Sequence, residues 1–258
     1  TSEKGDPSSV KTSEICQENS IFGGKLDGKK VLINRIRHLQ NLESTVSSVD
    51  MENQKLWADS GSETCYTAVQ QKNLSWADYC TGLQAVVSAA GGMMNPSIYN
   101  KDNVSCTAAD HVYPLEPTVP FHYDGNTFIL DDLSVKTEGT QAAGLFGNVK
   151  EDLTVSRLKL SRMNAESGSD AGAGALIGLV KDSKLNVHVD DVLIQYPNVL
   201  SNGVKKNATS IAQINAGAVI GDFTGNELVI SRTMTVNSFR TKMLNLSDTE
   251  TKEDLTSD

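Results

Sequence analysis

Aromatic side chains are scarce in this sequence. Phe, Tyr and Trp together make up 5% of 258 residues, although 38% of the chain is hydrophobic. A compact domain of this length ordinarily fills its centre with rings, so the core expected here is narrow and built from small and branched aliphatics. Basic residues are also in deficit: 23 Lys and Arg against 32 Asp and Glu leave a formal charge of -9. That balance argues against nucleic acid, whose recognition needs a basic surface, and against a stable seat on anionic membranes. An acidic surface mainly supports solubility. No apolar run approaches the roughly 18 residues a membrane-spanning helix requires. There is no initiator Met and no secretory pattern at Thr1, so the expectation is a stretch of a longer exported protein. Its polar ends, 1–14 and 241–258, are expected to be flexible tails.

Cysteine is absent from the second half. Cys16, Cys65, Cys80 and Cys106 all lie before residue 120, none in a CxxC pair and none with histidine at zinc-like spacing. No metal and no cofactor are expected. Four cysteines allow three pairings; one or two disulfides in an exported protein and buried free thiols remain alternatives.

The two halves differ in texture. Over 15–120 the chain mixes a helical pattern, loops and the four cysteines, and reads as a cap region. Asn34 can cap a helix, and Ile36, Leu39, Leu42 and Val46 form one apolar stripe, predicting an amphipathic helix over 34–48. Val31-Leu32-Ile33 reads as a short strand and Ala68-Val69-Gln70 as a short apolar stretch, while 75–90 can hold a second helix before Gly91-Gly92. Over 121–240 the chain is rich in Val, Leu and Ile and repetitive.

The repeat is a phrase that returns three times: Ala143-Gly144-Leu145-Phe146-Gly147, Gly174-Ala175-Leu176-Ile177-Gly178 and Gly217-Ala218-Val219-Ile220-Gly221. The closing glycines are 31 and 43 residues apart, and each phrase leads into a strand-like aliphatic stretch. Stacked coils place corresponding residues about 4.8 Å above one another. Leu145, Leu176 and Val219 then form an inward ladder, with Phe146, Ile177 and Ile220 beside it. Gly147, Gly178 and Gly221 mark corners at which a Cβ would obstruct the chain. The predicted fold is mainly β: a right-handed parallel β-solenoid with an N-terminal helical and loop cap. Tyr196-Pro197-Asn198, Ser201-Asn202-Gly203 and Lys205-Lys206-Asn207 read as loop chemistry, an insertion protruding from the longer coil.

These phrases resemble the GLUG-type repeats of large bacterial surface proteins. Arg37-His38-Leu39-Gln40-Asn41-Leu42 is similar to the helix that precedes such repeats in proteins of Gram-positive gut and oral bacteria. Ala68-Val69-Gln70-Gln71-Lys72-Asn73-Leu74-Ser75-Trp76 resembles a second stretch of the same group, with Asn73 where Asp is usual. Tyr123-Asp124-Gly125-Asn126 resembles the turn that opens its first coil. The likeness covers about residues 30–239. It implies a right-handed β-solenoid, extracellular display on the cell surface, and adhesion to host macromolecules, with immunoglobulin or another host glycoprotein as the candidate partner. The motifs are structural, so no binding residue is carried over with them.

Catalytic chemistry finds little to stand on. No GxSxG, HExxH or P-loop phrase is present, and Gly172-Ala173-Gly174 belongs to the repeat. His38, His111, His122 and His188 are scattered. A polysaccharide lyase or hydrolase needs converging carboxylates; Asp131-Asp132 and Asp190-Asp191 lie on different coils and can meet on one face, but read more simply as turns. None of Arg157, Arg162 and Arg232 stands out as their partner. A Cys-Gln thioester at Cys65 with Gln70 or Gln71 lacks its partner motif. Sequons at Asn73, Asn103, Asn207 and Asn245 matter only in a eukaryotic secretory pathway. The function expected is therefore non-catalytic binding. Its contact residues are expected in Tyr99, Tyr113 and Phe121 of the 94–120 loop, and in Tyr196, Pro197, Asn198, Lys205 and Lys206 of the insertion, because Tyr-rich and Pro-rich loops offer rigid contact area. The alternatives are a glycan-cleaving enzyme and a passive stalk.

Overall fold

A computed structural model describes residues 24–26, 30–42, 67–78, 112–117, 120–168, 171–201, 215–236 and 240–243. The fold is mainly β, with strands arranged in parallel sheets. Three sheets run most of its length, and a 3-stranded and a 2-stranded sheet complete the set. One complete rung of the chain contributes a strand to each principal sheet in turn. The first described in full runs through β5 (Phe121–Asp124), β6 (Ile129–Asp131), β7 (Ser134–Thr137) and β8 (Phe146–Val149).

The next rung repeats this order with β9 (Leu153–Ser156), β10 (Lys159–Ser161), β11 (Asn164–Ser167), the two-residue β12 (Ala173–Gly174) and β13 (Ile177–Val180). The third has β14 (Asn186–Asp190), β15 (Leu193–Gln195), β16 (Asn198–Ser201), β17 (Ala216–Gly217) and β18 (Ile220–Phe223). The last has β19 (Glu227–Ser231), β20 (Met234–Val236) and β21 (Arg240–Met243). Every pairing between these rungs is parallel and in register.

Alternation along each strand builds the core. Phe121, Leu153 and Val187 stack in one buried column, Tyr123, Val155 and Val189 in the next, and Leu130, Leu160 and Ile194 in a third. Because successive strand residues point to opposite faces, the residues between them face outward. Phe121 and Tyr123 are the only aromatic residues in these three columns; the others are Leu, Val and Ile.

The thrice-repeated phrase takes the predicted register: Phe146 pairs with Ile177 and Ile177 with Ile220. Leu145 and Leu176 are buried beside them, and Val219 packs against the core. The closing glycines, however, are the second residues of β8, β13 and β18 rather than corners. Their role is close approach. A Cβ on Gly178 would lie 2.8 Å from the Ala143 carbonyl oxygen and 2.7 Å from the Ala142 Cβ. One on Gly221 would lie 2.5 Å from the carbonyl oxygens of both Ala173 and Gly178.

The corners are made by residues with left-handed backbone, and most of them are not glycine. Arg157, Asp191 and Arg232 follow β9, β14 and β19 with φ of 51°, 54° and 47°; Asp132, Arg162 and Tyr196 follow β6, β10 and β15 with φ of 59°, 52° and 52°. Each makes the same sharp exit at the same register position, and the Arg157, Arg162 and Tyr196 amides donate to carbonyls of the next rung at 3.0, 2.8 and 3.2 Å.

The first half joins this stack. β2 (Lys30–Ile33) and β3 (Thr67–Gln70) continue the first sheet beneath β5, and Leu74–Ser75, strand β4, pairs with β6. The sheet therefore crosses the expected boundary at 120/121. β1 (Gly24–Leu26) adds an antiparallel edge. The helix spans Ile36–Asn41, with Ile36, Leu39 and Leu42 buried as the stripe predicts. The Asn34 amide donates to His38 Nδ1 at 3.2 Å. The rest of the predicted helix, from 43 to 48, and residues 79–90 lie outside the described residues. Among the described residues no helix is long and apolar enough to cross a membrane.

Candidate functional site

Ionisable groups gather at the corners. Arg157 Nε donates to Asp124 Oδ1, Arg162 Nε to Asp131 Oδ1 and Arg232 Nε to Asp190 Oδ1, each at 3.0 Å, and each Nη2 donates to the second oxygen. In every case the acid ends a strand and the arginine is the corner residue one rung further on. Arg162 and Arg232 are thus the partners of Asp131 and Asp190, although none of the three arginines stood out as such in the sequence. Hydrogen bonding from Arg162 and Arg232 holds the Asp131 and Asp190 carboxyls below their ordinary range, and the three guanidinium groups are raised in turn.

The same geometry bears on the idea of converging carboxylates. Asp131 ends a strand of the second sheet and Asp190 a strand of the first, so they stand on different corner columns. The acidic pairs do not meet on one face. Each is committed to an arginine, and Ser231 Oγ also donates to Asp190 Oδ1 at 2.6 Å. Among the described residues no group of three or more His, Cys, Asp or Glu is placed to hold a metal ion.

A buried polar group anchors the first complete rung. Tyr123 Oη donates to Gln70 Oε1 at 3.2 Å, while Gln70 Nε2 donates to the carbonyls of Lys72 at 2.8 Å and Ile129 at 2.9 Å. Burial, reinforced by the neighbouring Asp124 charge, pushes the Tyr123 hydroxyl well above its ordinary pKa. Its ring meets Phe146 edge to face with centroids 6.2 Å apart. Asn73 Oδ1 accepts from the Ile129 amide at 2.9 Å. The task there is acceptance of one hydrogen bond, which an amide oxygen performs as well as a carboxylate. His122 Nε2 lies 2.7 Å from Ser156 Oγ and His188 Nε2 lies 3.3 Å from Glu227 Oε2.

A second polar hub, a carboxylate not foreseen from sequence, holds the segment before β5. Glu116 accepts from Gln141 Nε2 at 3.3 Å, Asn148 Nδ2 at 3.1 Å and Lys150 Nζ at 2.9 Å. Burial alone would raise its pKa. Lys150 and the other donors outweigh burial and hold it below the ordinary value.

The expected contact residues separate into three groups. Phe121 is a core residue at the start of β5, and Pro197 is buried, so neither offers contact surface. Asn198 opens β16 and donates through Nδ2 to Asn164 Oδ1 at 2.6 Å, as part of a ladder in which Asn164 donates to Ser134 Oγ at 2.9 Å. The Tyr196–Asn198 stretch is thus a corner and a strand start rather than a loop. The extra chain of the third rung begins after Ser201, where the described residues stop until Asn215.

Tyr113 and Tyr196 are exposed, at 61% and 51% of their accessible surface. Tyr196 stands in the corner column shared with Asp132 and Arg162, where the left-handed backbone favours glycine, asparagine or aspartate over an aromatic. Tyr99, Lys205, Lys206 and the four cysteines, Cys16, Cys65, Cys80 and Cys106, lie outside the described residues.

Comparison with family models, with curated proteins and with solved structures finds no match to this chain in any of the three.

Proposed function

We propose that this chain is a non-catalytic binding module of a bacterial surface protein, and that it holds a host macromolecule such as an immunoglobulin or another glycoprotein. The observation that carries the reading is Tyr196, a half-exposed aromatic kept with a φ of 52° at a corner that its neighbours fill with Asp and Arg. A bulky residue in the left-handed region costs about 1–2 kcal/mol, and such strain concentrates where a side chain must be presented. Aromatic anchors dominate binding energy because they bring large rigid area at small entropic cost.

The scaffold reading is a right-handed parallel β-solenoid. Each sheet receives one strand per rung, and parallel connections within a sheet are right-handed in about 98% of cases. The likeness to GLUG-type repeats agrees with that winding and with display outside the cell. Polar ladders such as Ser134–Asn164–Asn198 and paired corners give a rigid, solvated outer surface.

The test is capture from serum and mucus on immobilised full chain, with mass spectrometry of what is retained. A saturable complex with a host protein, weakened by Tyr196→Ala in a variant of unchanged circular dichroism, is the expected result. Recovery of no specific protein sinks the reading.

A further inference from the structure

Tyr196 differs in kind from the side chains around it. It stands at the corner after β15 with its ring half exposed. The outward residues nearest to it in register are Gln195 and Leu193 on its own strand, and Ser161 and Lys159 one rung earlier. Leu193 is the one aliphatic among these four, and it is partly buried. The ring therefore lies in a polar field on the outside of the second sheet.

The charges at this end of the sheet cancel. Asp131 and Asp132 belong to one rung, Lys159 and Arg162 to the next, and the Arg162 guanidinium is closed on Asp131. Two acids thus meet two bases here, whereas the whole chain carries a formal charge of -9.

Each class of ligand makes a different demand on such a surface. A polypeptide epitope needs an apolar, water-excluded centre with a rim around it, and a single ring among Gln, Ser and Lys does not supply one. An acidic sugar is drawn by an excess of cations, and this corner has no excess. A neutral pyranose presents one face of C–H groups, which packs on an aromatic ring, and hydroxyls that pair with a side-chain amide. Tyr196 offers the ring, and Gln195 offers an amide next to it on the outward face.

We infer that the Tyr196 corner is a carbohydrate subsite, at which the ring stacks on the C–H face of a neutral hexose and Gln195 holds its hydroxyls. This rests on the reading of the chain as a host-glycoprotein binder, and it assigns the contact to the partner's sugar rather than to its polypeptide.

The test offers serum and mucus glycoproteins to the immobilised full chain in three forms: intact, stripped of terminal sialic acid, and enzymatically deglycosylated. Intact and desialylated forms are expected to be retained alike, and the deglycosylated form to be lost. Tyr196→Ala is expected to weaken capture about tenfold and Gln195→Ala about threefold to tenfold. Tyr196→Trp, which keeps a ring, is expected to hold capture near the wild-type level, and all three variants to keep the wild-type circular dichroism spectrum. Retention of the deglycosylated form as strongly as the intact one overturns the inference and leaves the host-protein reading standing. Loss of capture on desialylation also overturns it, because the ligand is then an acidic sugar. If no host protein is retained in any form, the broader reading fails and a printed array of neutral oligosaccharides decides the subsite: binding that depends on Tyr196 upholds it, and no binding overturns it.

Discussion

Arg232 clamps Asp190 across one rung: its Nε donates at 3.0 Å and its Nη2 closes the fork from a corner residue with φ of 47°. Arg162 with Asp131 and Arg157 with Asp124 repeat the device. Each pair therefore stabilises a backbone conformation that arginine does not favour by itself, and each ties adjacent rungs together. The three pairs differ mainly in shielding. Asp124 is buried, whereas the other two acids are more open to water.

That difference sets the first prediction. Asp124→Asn removes the fork to Arg157 and weakens the acceptor that holds the Asn126 amide at 2.9 Å, and is expected to lower stability by about 1–3 kcal/mol. Asp131→Asn disturbs a solvent-screened pair and is expected to lower it by less than about 1 kcal/mol. Thermal melts of the two variants check the order; equal shifts would mean that shielding does not matter here.

Stability should fall with acid in a defined window. Glu116, Asp131 and Asp190 all have folded pKa values held below their ordinary ones. Their contribution is complete above the unfolded values, 4.5 for Glu116 and 3.8 for Asp131. It is lost as pH drops through the lower folded values, because the unfolded chain takes up protons first. Melting temperature is therefore expected to hold level near neutrality and to decline below about pH 4.5. Glu116→Gln lowers the plateau and flattens the decline; a variant with the full acid sensitivity of the wild type would contradict the assignment.

How much of this was legible in the sequence depended on which residues carry the repeat. The Leu145, Leu176 and Val219 phrase announced the stacking and its register because the same small and aliphatic residues recur in order. The corners were legible only at the Asp131-Asp132 and Asp190-Asp191 pairs, which read as turns and hold the corner residues Asp132 and Asp191. Those at Arg157, Arg162 and Arg232 were not, because the pairing of these arginines with acids depends on contacts between rungs of unequal length. The strands β3 and β4 were also obscured, since Gln70 is a polar residue in a core position and makes sense only once Tyr123 and the Ile129 carbonyl are beside it.

The glycines offer a contrast between crowding and backbone freedom. Gly139 has φ of 65° with nothing near its missing Cβ, whereas Gly178 has no such φ but a wall of Ala142 and Ala143 atoms within 3.0 Å. Gly139→Ala is expected to cost about 1 kcal/mol from the left-handed conformation alone. Gly178→Ala must push two rungs apart and is expected to cost about 3 kcal/mol or more. Urea melts with comparable slopes for both variants check the ranking.

Tyr123→Phe and Gln70→Leu probe the buried polar pair from its two sides. Phenylalanine keeps the ring against Phe146 and removes only the donor to Gln70 Oε1, at an expected cost of about 1–2 kcal/mol. Leucine strands the Tyr123 hydroxyl and the carbonyls of Lys72 and Ile129 together, and is expected to cost about twice as much. A double variant costing less than the sum of the two singles would show the groups act as one network.

Tyr196 separates stability from function. Its φ of 52° is one glycine adopts without strain, so Tyr196→Gly relieves about 1–2 kcal/mol of backbone energy and gives back roughly 0.5–1 kcal/mol in lost chain entropy. The balance is a small gain, read as a rise of about 1–4 °C in melting temperature for a chain of this size. If the corner existed only to turn the chain, this variant would be better folded and equally able to retain host protein. If the tyrosine is displayed for contact, the same variant melts higher and captures less. Measured on one preparation, a higher melting temperature with undiminished capture would remove Tyr196 from the binding surface, and a higher melting temperature with capture lost would assign it there.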